Sequence, residues 1–136
     1  MKKPPEVALN VRAECYVYPS EDSAKVIKAV KNVLNNCAPE LTNNKVLAVS
    51  KNAESLGTIY EQARSRAILG VFRRVLEYNT IANSTWFYLN KQAAHTGIVS
   101  ICEEESESPL GPIKITITSN QLQSIINWLA SINQLN

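Results

Sequence analysis

Glu103, Glu104, Glu105 and Glu107 crowd four carboxylates into five positions, the densest run of reactive side chains in the sequence. Clustered carboxylates can hold Mg²⁺, and phosphodiester cleavage is the chemistry such a run would serve. The plainer reading is a solvated loop that repels self-association at a sheet end, since no His or Asp stands at a fixed spacing to complete a ligand set. His95 is the single histidine and has no base or nucleophile beside it, so the pattern does not support a general base. Ser100, Ser106 and Ser108 lack a Gly-x-Ser-x-Gly elbow, and the four glycines form no phosphate-cradling loop. Cys15, Cys37 and Cys102 are odd in number and far apart, which argues against a zinc site or a disulfide framework. They read as reduced cytosolic thiols, Cys15 and Cys102 being small apolar strand residues. No catalytic residue, metal or cofactor is assigned.

The basic residues are better ordered. Lys25, Lys28 and Lys31 recur at helical spacing, and Arg64, Arg66, Arg73 and Arg74 fall in a longer helical stretch. Arg66 and Arg73, seven apart on one continuous helix, would be nearly eclipsed and about 10 Å apart along the axis. Guanidinium forks at that separation can straddle a nucleic-acid backbone. The alternative is an ordinary solvated helix face, with Arg73 paired to Glu77. Tyr16, Tyr18, Trp86 and Tyr88 offer a second route to RNA, as a stacking platform on a sheet face left bare by the helices, or else a dimer surface. The alternation does not say whether Trp86 and Tyr88, or Phe87 and Leu89, face inward.

These side chains need elements to position them. Val7 to Val17 alternates apolar and polar residues, the period of a half-buried strand. Ser20 is placed to cap the next helix, with Glu21 and Asp22 in its first turn. Val26, Ile27, Val30, Val33, Leu34 and Cys37 make that helix's buried stripe, opposite the lysines. A second strand lies within Leu41–Ser50, broken by Thr42-Asn43-Asn44 as a bulge or turn. The spacing from Glu54 to Tyr78 predicts one long helix, with Gly70 inside it. Strands follow at Thr85–Gln92 and Ile98–Cys102, split by His95-Thr96-Gly97, and at Ile113–Thr118. Ser119 or Asn120 then caps a helix presenting Leu122, Ile125, Ile126, Leu129 and Ile132 on one face. The order β-α-β-α-β-β-β-α predicts an α+β fold with a mostly antiparallel sheet and helices on one face.

A length of 136 residues fits one domain spanning 1–136 with a core that needs no staple. The composition is that of an ordinary globular protein, and a net charge of +2 names no nucleic-acid partner by itself. Pro4-Pro5-Glu6 interrupts any signal-peptide pattern begun by Lys2-Lys3. No apolar run reaches the ~18 residues of a membrane helix. The expectation is a cytoplasmic protein.

Phe87-Tyr88-Leu89-Asn90-Lys91-Gln92-Ala93-Ala94, then Gly97-x-Val99-Ser100-x-Cys102-Glu103-Glu104-Glu105 and Ser108-Pro109-Leu110-Gly111-Pro112-Ile113, resembles a family of small archaeal proteins predicted to bind RNA. That family's fold is similar to the large-subunit ribosomal protein that contacts 5S RNA. Tyr18-Pro19-x-Glu21-Asp22, Ile68-Leu69 with Arg73, and Trp128-Leu129 match as well, so the resemblance covers nearly the whole chain. It implies a compact α+β domain in an archaeal cytoplasm, with a role in RNA binding near the ribosome or RNA processing. Asn90, Lys91 and Gln92 are its polar residues, serving either an RNA contact or the neighbouring Glu-rich loop. The leading expectation is a non-enzymatic RNA-binding domain, with Lys25, Lys28, Arg66 and Arg73 on phosphates and Asn90, Lys91 and Gln92 supplying hydrogen bonds. A protein-interaction or homodimer module using the bare sheet face stands second, and Mg²⁺ chemistry at Glu103–Glu107 third.

Overall fold

A computed structural model of the chain describes residues 2–131. Strand β1 (Asn10–Tyr16) is central, because its alternation buries Val11, Ala13 and Cys15 on one side and leaves Arg12, Glu14 and Tyr16 on the other. Helix α1 (Ser23–Val33) follows, then a hairpin of β2 (Glu40–Thr42) and β3 (Lys45–Ser50). A 3₁₀ turn at Ala53–Leu56 leads into α2 (Gly57–Ser65) and α3 (Leu69–Tyr78). Next come β4 (Ser84–Leu89), the short α4 (Lys91–His95), β5 (Ile101–Cys102), β6 (Ile113–Thr118) and α5 (Leu122–Leu129). All strand pairs are antiparallel, and the sheet runs β2-β3-β1-β6-β4-β5. This is the α+β fold expected from the alternation, with the helices on one face.

Val46, Ala48, Phe87, Leu89, Ile113, Ile115 and Ile117 join the inward residues of β1 and meet Val30, Ile59, Phe72, Leu76 and Ile125 from the helices. Phe72 and Phe87 meet edge-on, 4.9 Å between ring centroids, the geometry their quadrupoles favour. No helix among the described residues is long and apolar enough to cross a membrane.

Four local expectations are corrected. The cap of α1 is Asp22, whose carboxylate accepts from the Ala24 amide at 3.0 Å, and not Ser20. Of the bulge or turn expected at Thr42-Asn43-Asn44 the turn is present, with Asn43 at φ 57° and Thr42 opposite Lys45, but it divides the one expected strand into β2 and β3. Asn90–Gln92 does not extend β4. Asn90 instead caps α4 by accepting from the Ala93 amide at 2.9 Å, and Lys-Gln-Ala-Ala are good helix formers. At the last helix, Ser119 accepts from the Gln121 amide one turn before α5 begins, and Ile132 lies outside the described residues.

The fifth correction reshapes the arginines. The long helix is two, broken where Ala67 takes φ 56°. The Ile68 amide reaches the Ala63 carbonyl at 3.0 Å and the Ala67 amide reaches Arg64 at 3.2 Å, a Schellman ending with alanine where glycine is preferred. Glycine stands three residues later, exposed in the first turn of α3, where an added Cβ would meet nothing within 4 Å. Ala67→Gly and Gly70→Ala are therefore each expected to raise stability by about 0.5–1 kcal/mol in urea melts. A loss on Gly70→Ala would mean that α3 starts later than described.

Candidate nucleic-acid interface

The acidic loop is built as a scaffold. Glu104 and Glu107 form a capping box around the 3₁₀ turn Glu105–Glu107, with the Glu107 carboxylate accepting from the amides of Glu103 and Glu104 at 3.2 Å each. Glu105 accepts from the Tyr88 hydroxyl at 2.7 Å, and Glu103 pairs with Arg74. The four carboxylates are thus drawn to separate partners. Among the described residues no group of three or more His, Cys, Asp or Glu side chains is disposed to hold a metal ion.

Asn90, Lys91 and Gln92 fasten this loop to the body. The Asn90 side chain donates to the Glu107 carbonyl at 3.4 Å and that of Gln92 to the Pro109 carbonyl at 2.9 Å. Lys91 is 4% exposed. Its ammonium donates to the carbonyls of Tyr16 (2.9 Å) and Leu110 (2.6 Å), and to both oxygens of Glu21 (2.9 and 3.1 Å). Lys91 therefore counters Glu21 rather than the loop's glutamates. Glu21 also accepts from the Tyr18 amide at 3.0 Å.

The helix-borne basic residues divide. Lys25, Lys28 and Arg66 are exposed. Arg73 is held at 2.9 Å to Glu77 and donates to the Ala130 carbonyl at 3.4 Å, while Arg64 donates to the carbonyls of Trp128 (2.8 Å) and Leu129 (3.1 Å). Both arginines thus dress the C-terminal end of α5, where carbonyls lack intrahelical partners and the dipole favours cations. With the break at Ala67 between them, Arg66 and Arg73 do not share one helical strip.

The strand register assembles a surface that spacing alone did not reveal. Phe87 and Leu89 face the helices, so Trp86 and Tyr88 face away from them. One cross-strand row on this open face runs Leu47, Glu14, Lys114, Tyr88, and the next runs Val49, Arg12, Thr116, Trp86. Lys45 stands opposite Tyr16. The Lys45 ammonium sits 4.9 Å from the Tyr16 ring centroid and that of Lys114 5.1 Å from Trp86, while Trp86 and Tyr88 lie 4.9 Å apart. Glu14 accepts from Lys45 at 3.3 Å and Arg12 at 3.4 Å. Three cations and three aromatic rings thus interleave around one carboxylate. The parity of Arg12, Lys45 and Lys114 is readable in their strands, but their convergence depends on the register.

Burial tunes three groups beside this face. The Cys15 thiol is pushed up to about 11, chiefly by burial, with Lys91 partly opposing. Cys102 also rises to about 11, through burial and then Glu107. The Tyr88 phenol rises to about 12, through burial, then its bond to Glu105, then the charges of Glu105 and Glu14. Each group binds its proton more tightly when folded. Its contribution is whole below the ordinary unfolded value and is lost as pH climbs through the folded one. Stability is expected to fall between about pH 9 and 12; urea midpoints across that window check it, and a flat profile would contradict these shifts.

A family model described as RNA binding matches residues 10–119. A UPF0201 protein of Sulfurisphaera tokodaii is 42% identical over 120 residues, 85% of this chain and 83% of the relative. Another, from Methanothermobacter thermautotrophicus, is 38% identical over 120 residues, 88% of this chain and 89% of the relative. The crystal structure of a UPF0201 protein from Methanococcus jannaschii superposes with a TM-score of 0.74 at 32% identity, covering 90% of this chain and 92% of that one. The matches span nearly all of both partners, and the chain therefore belongs to the archaeal UPF0201 family, whose model carries the description RNA binding.

Proposed function

We propose that this protein is a non-enzymatic RNA-binding protein of the archaeal cytoplasm, acting as one α+β unit that lays the open face of its sheet against structured RNA. The carrying observation is the meeting on one face of Lys45 over Tyr16 and Lys114 over Trp86, with Tyr88 against Trp86 and Arg12 held at Glu14. Aromatic faces stack unpaired bases of any sequence, and cations between them answer the phosphates. Lys45 and Lys114, which cover rings of this face in the free protein, have flexible stems, so a base can displace them from the rings toward its own edge or the backbone. Lys25, Lys28 and Arg66, on the helical layer, supply a second set of phosphate contacts. Asn90, Lys91 and Gln92 serve the surface indirectly, by holding the loop beside it. The likeness of the Phe87–Ile113 motif to a family with a ribosomal-protein-like fold makes ribosomal RNA the first ligand to try.

Fluorescence anisotropy of labelled ribosomal RNA fragments, at low and near-physiological salt, tests this. The expected result is binding that weakens steeply with salt and survives competitor RNA. An absence of binding at low salt, where electrostatics are strongest, would overturn it. One observation favours a second reading, self-association through the open sheet face at β3, where Val49, opposite Arg12, is 70% exposed. Light scattering showing only monomer at high concentration would remove that reading.

A further inference from the structure

The open face is not flat. Between the ends of β1, β4 and β6 and the Gly111-Pro112 turn lies a cavity of about 250 Å³. Tyr16, Tyr18 and Tyr88 supply its rings, and Glu14, Lys45 and Lys114 much of its polar lining. Glu105 enters from the acidic loop. We propose that this cavity receives an unpaired guanine base of the bound RNA. The assignment rests on the RNA-binding reading above and gives it a sequence preference.

The chemistry of the lining makes the choice. Ionised carboxylates are acceptors only, and they repel phosphate, so a nucleotide must enter base first. Glu14 spends Oε2 on Arg12 and Lys45, and among the described residues nothing donates to its Oε1. Glu105 likewise spends Oε1 on Tyr88 and leaves Oε2 open among the described residues. The cavity therefore offers carboxylate acceptors, and beside them stand donors. The Lys45 ammonium lies 3.3 Å from Glu14, and Lys114 faces Glu14 across the β1–β6 register. Guanine carries the complement on one base, with adjacent N–H donors at N1 and N2 followed by acceptors at O6 and N7. Adenine and cytosine would turn a ring-nitrogen acceptor toward the carboxylate, and uracil would flank its single N–H with two carbonyls. The tyrosines then hold whichever base the polar edge admits.

The test compares short labelled single-stranded RNAs, all adenine or with one central guanine or inosine, against the wild-type protein. Inosine keeps N1–H, O6 and N7 but lacks the exocyclic amine. The expected result is about tenfold tighter binding of the guanine strand than of the all-adenine strand, with inosine between them. Glu14→Gln is expected to bring guanine and adenine within about twofold of each other. The inosine comparison uses only the wild-type chain and so holds even if that variant folds poorly. Equal affinity for all three strands, with salt-dependent binding retained, would overturn the guanine pocket and leave the RNA reading standing. Failure of all three strands to bind at low salt would overturn the guanine pocket, and failure of the ribosomal RNA fragments as well would overturn both.

Discussion

Lys91→Ala is expected to cost about 3–5 kcal/mol of folding stability, the largest loss predicted for any single polar substitution in this chain. The Lys91 side chain is 4% exposed and that of Glu21 11%, so neither charge can recover full hydration when its partner goes. The truncation leaves Glu21 buried without its cation and also strips a donor from the Tyr16 and Leu110 carbonyls. Urea unfolding of Lys91→Ala, of Glu21→Gln and of the double variant separates these parts. A double variant markedly less damaged than the sum of the two singles is expected, because removing both charges avoids an orphan. A loss below about 1 kcal/mol for Lys91→Ala would instead mean a solvated, surface-like pair. The consequence reaches the open face, since Lys91 ties the end of β1 to the Pro109–Pro112 turn, and Gly111 and Pro112 line the cavity there.

That residue also marks where the sequence was legible and where it was not. Alternation in Val11–Cys15, Phe87–Leu89 and Ile113–Ile117 announced an antiparallel sheet covered on one side, because a period of two is a local property of the chain. The break at Ala67 carried no glycine to announce it, so the apolar arc read through from Leu56 to Val75. Lys91 read either as an RNA contact or as a counter-charge to the Glu-rich loop, because burying such a group is costly unless it is paired. Its burial depends on Glu21, seventy residues away, a distance over which periodicity says nothing. The strip of Arg66 and Arg73 failed to form for a similar reason. It assumed one continuous helix, and the carbonyl partner of Arg73 comes from α5, an element brought near only by folding. The aromatic platform, conversely, was visible as Tyr16, Tyr18, Trp86 and Tyr88, and it needed the register to choose its face and to add Arg12, Lys45 and Lys114.

Reversing the charges of that platform gives the largest functional effect. Lys45→Glu with Lys114→Glu is expected to lower affinity for ribosomal RNA fragments by about 100-fold at low salt and to flatten the salt dependence. Two cations that would each release a phosphate counterion become two repulsive carboxylates. Both side chains are partly exposed and lie over rings rather than in the core, so the fold is expected to survive, and a urea melt confirms that separately. Lys25→Glu with Lys28→Glu is the comparison pair on the exposed side of α1, among the second set of phosphate contacts on the opposite layer, and a smaller loss is expected from it. It changes the net charge by the same amount, so a purely global electrostatic effect would weaken binding equally in both pairs. A much larger loss from the sheet pair locates the RNA on the open face. A larger loss from the α1 pair would move the interface to the helical layer, and would take the guanine pocket with it.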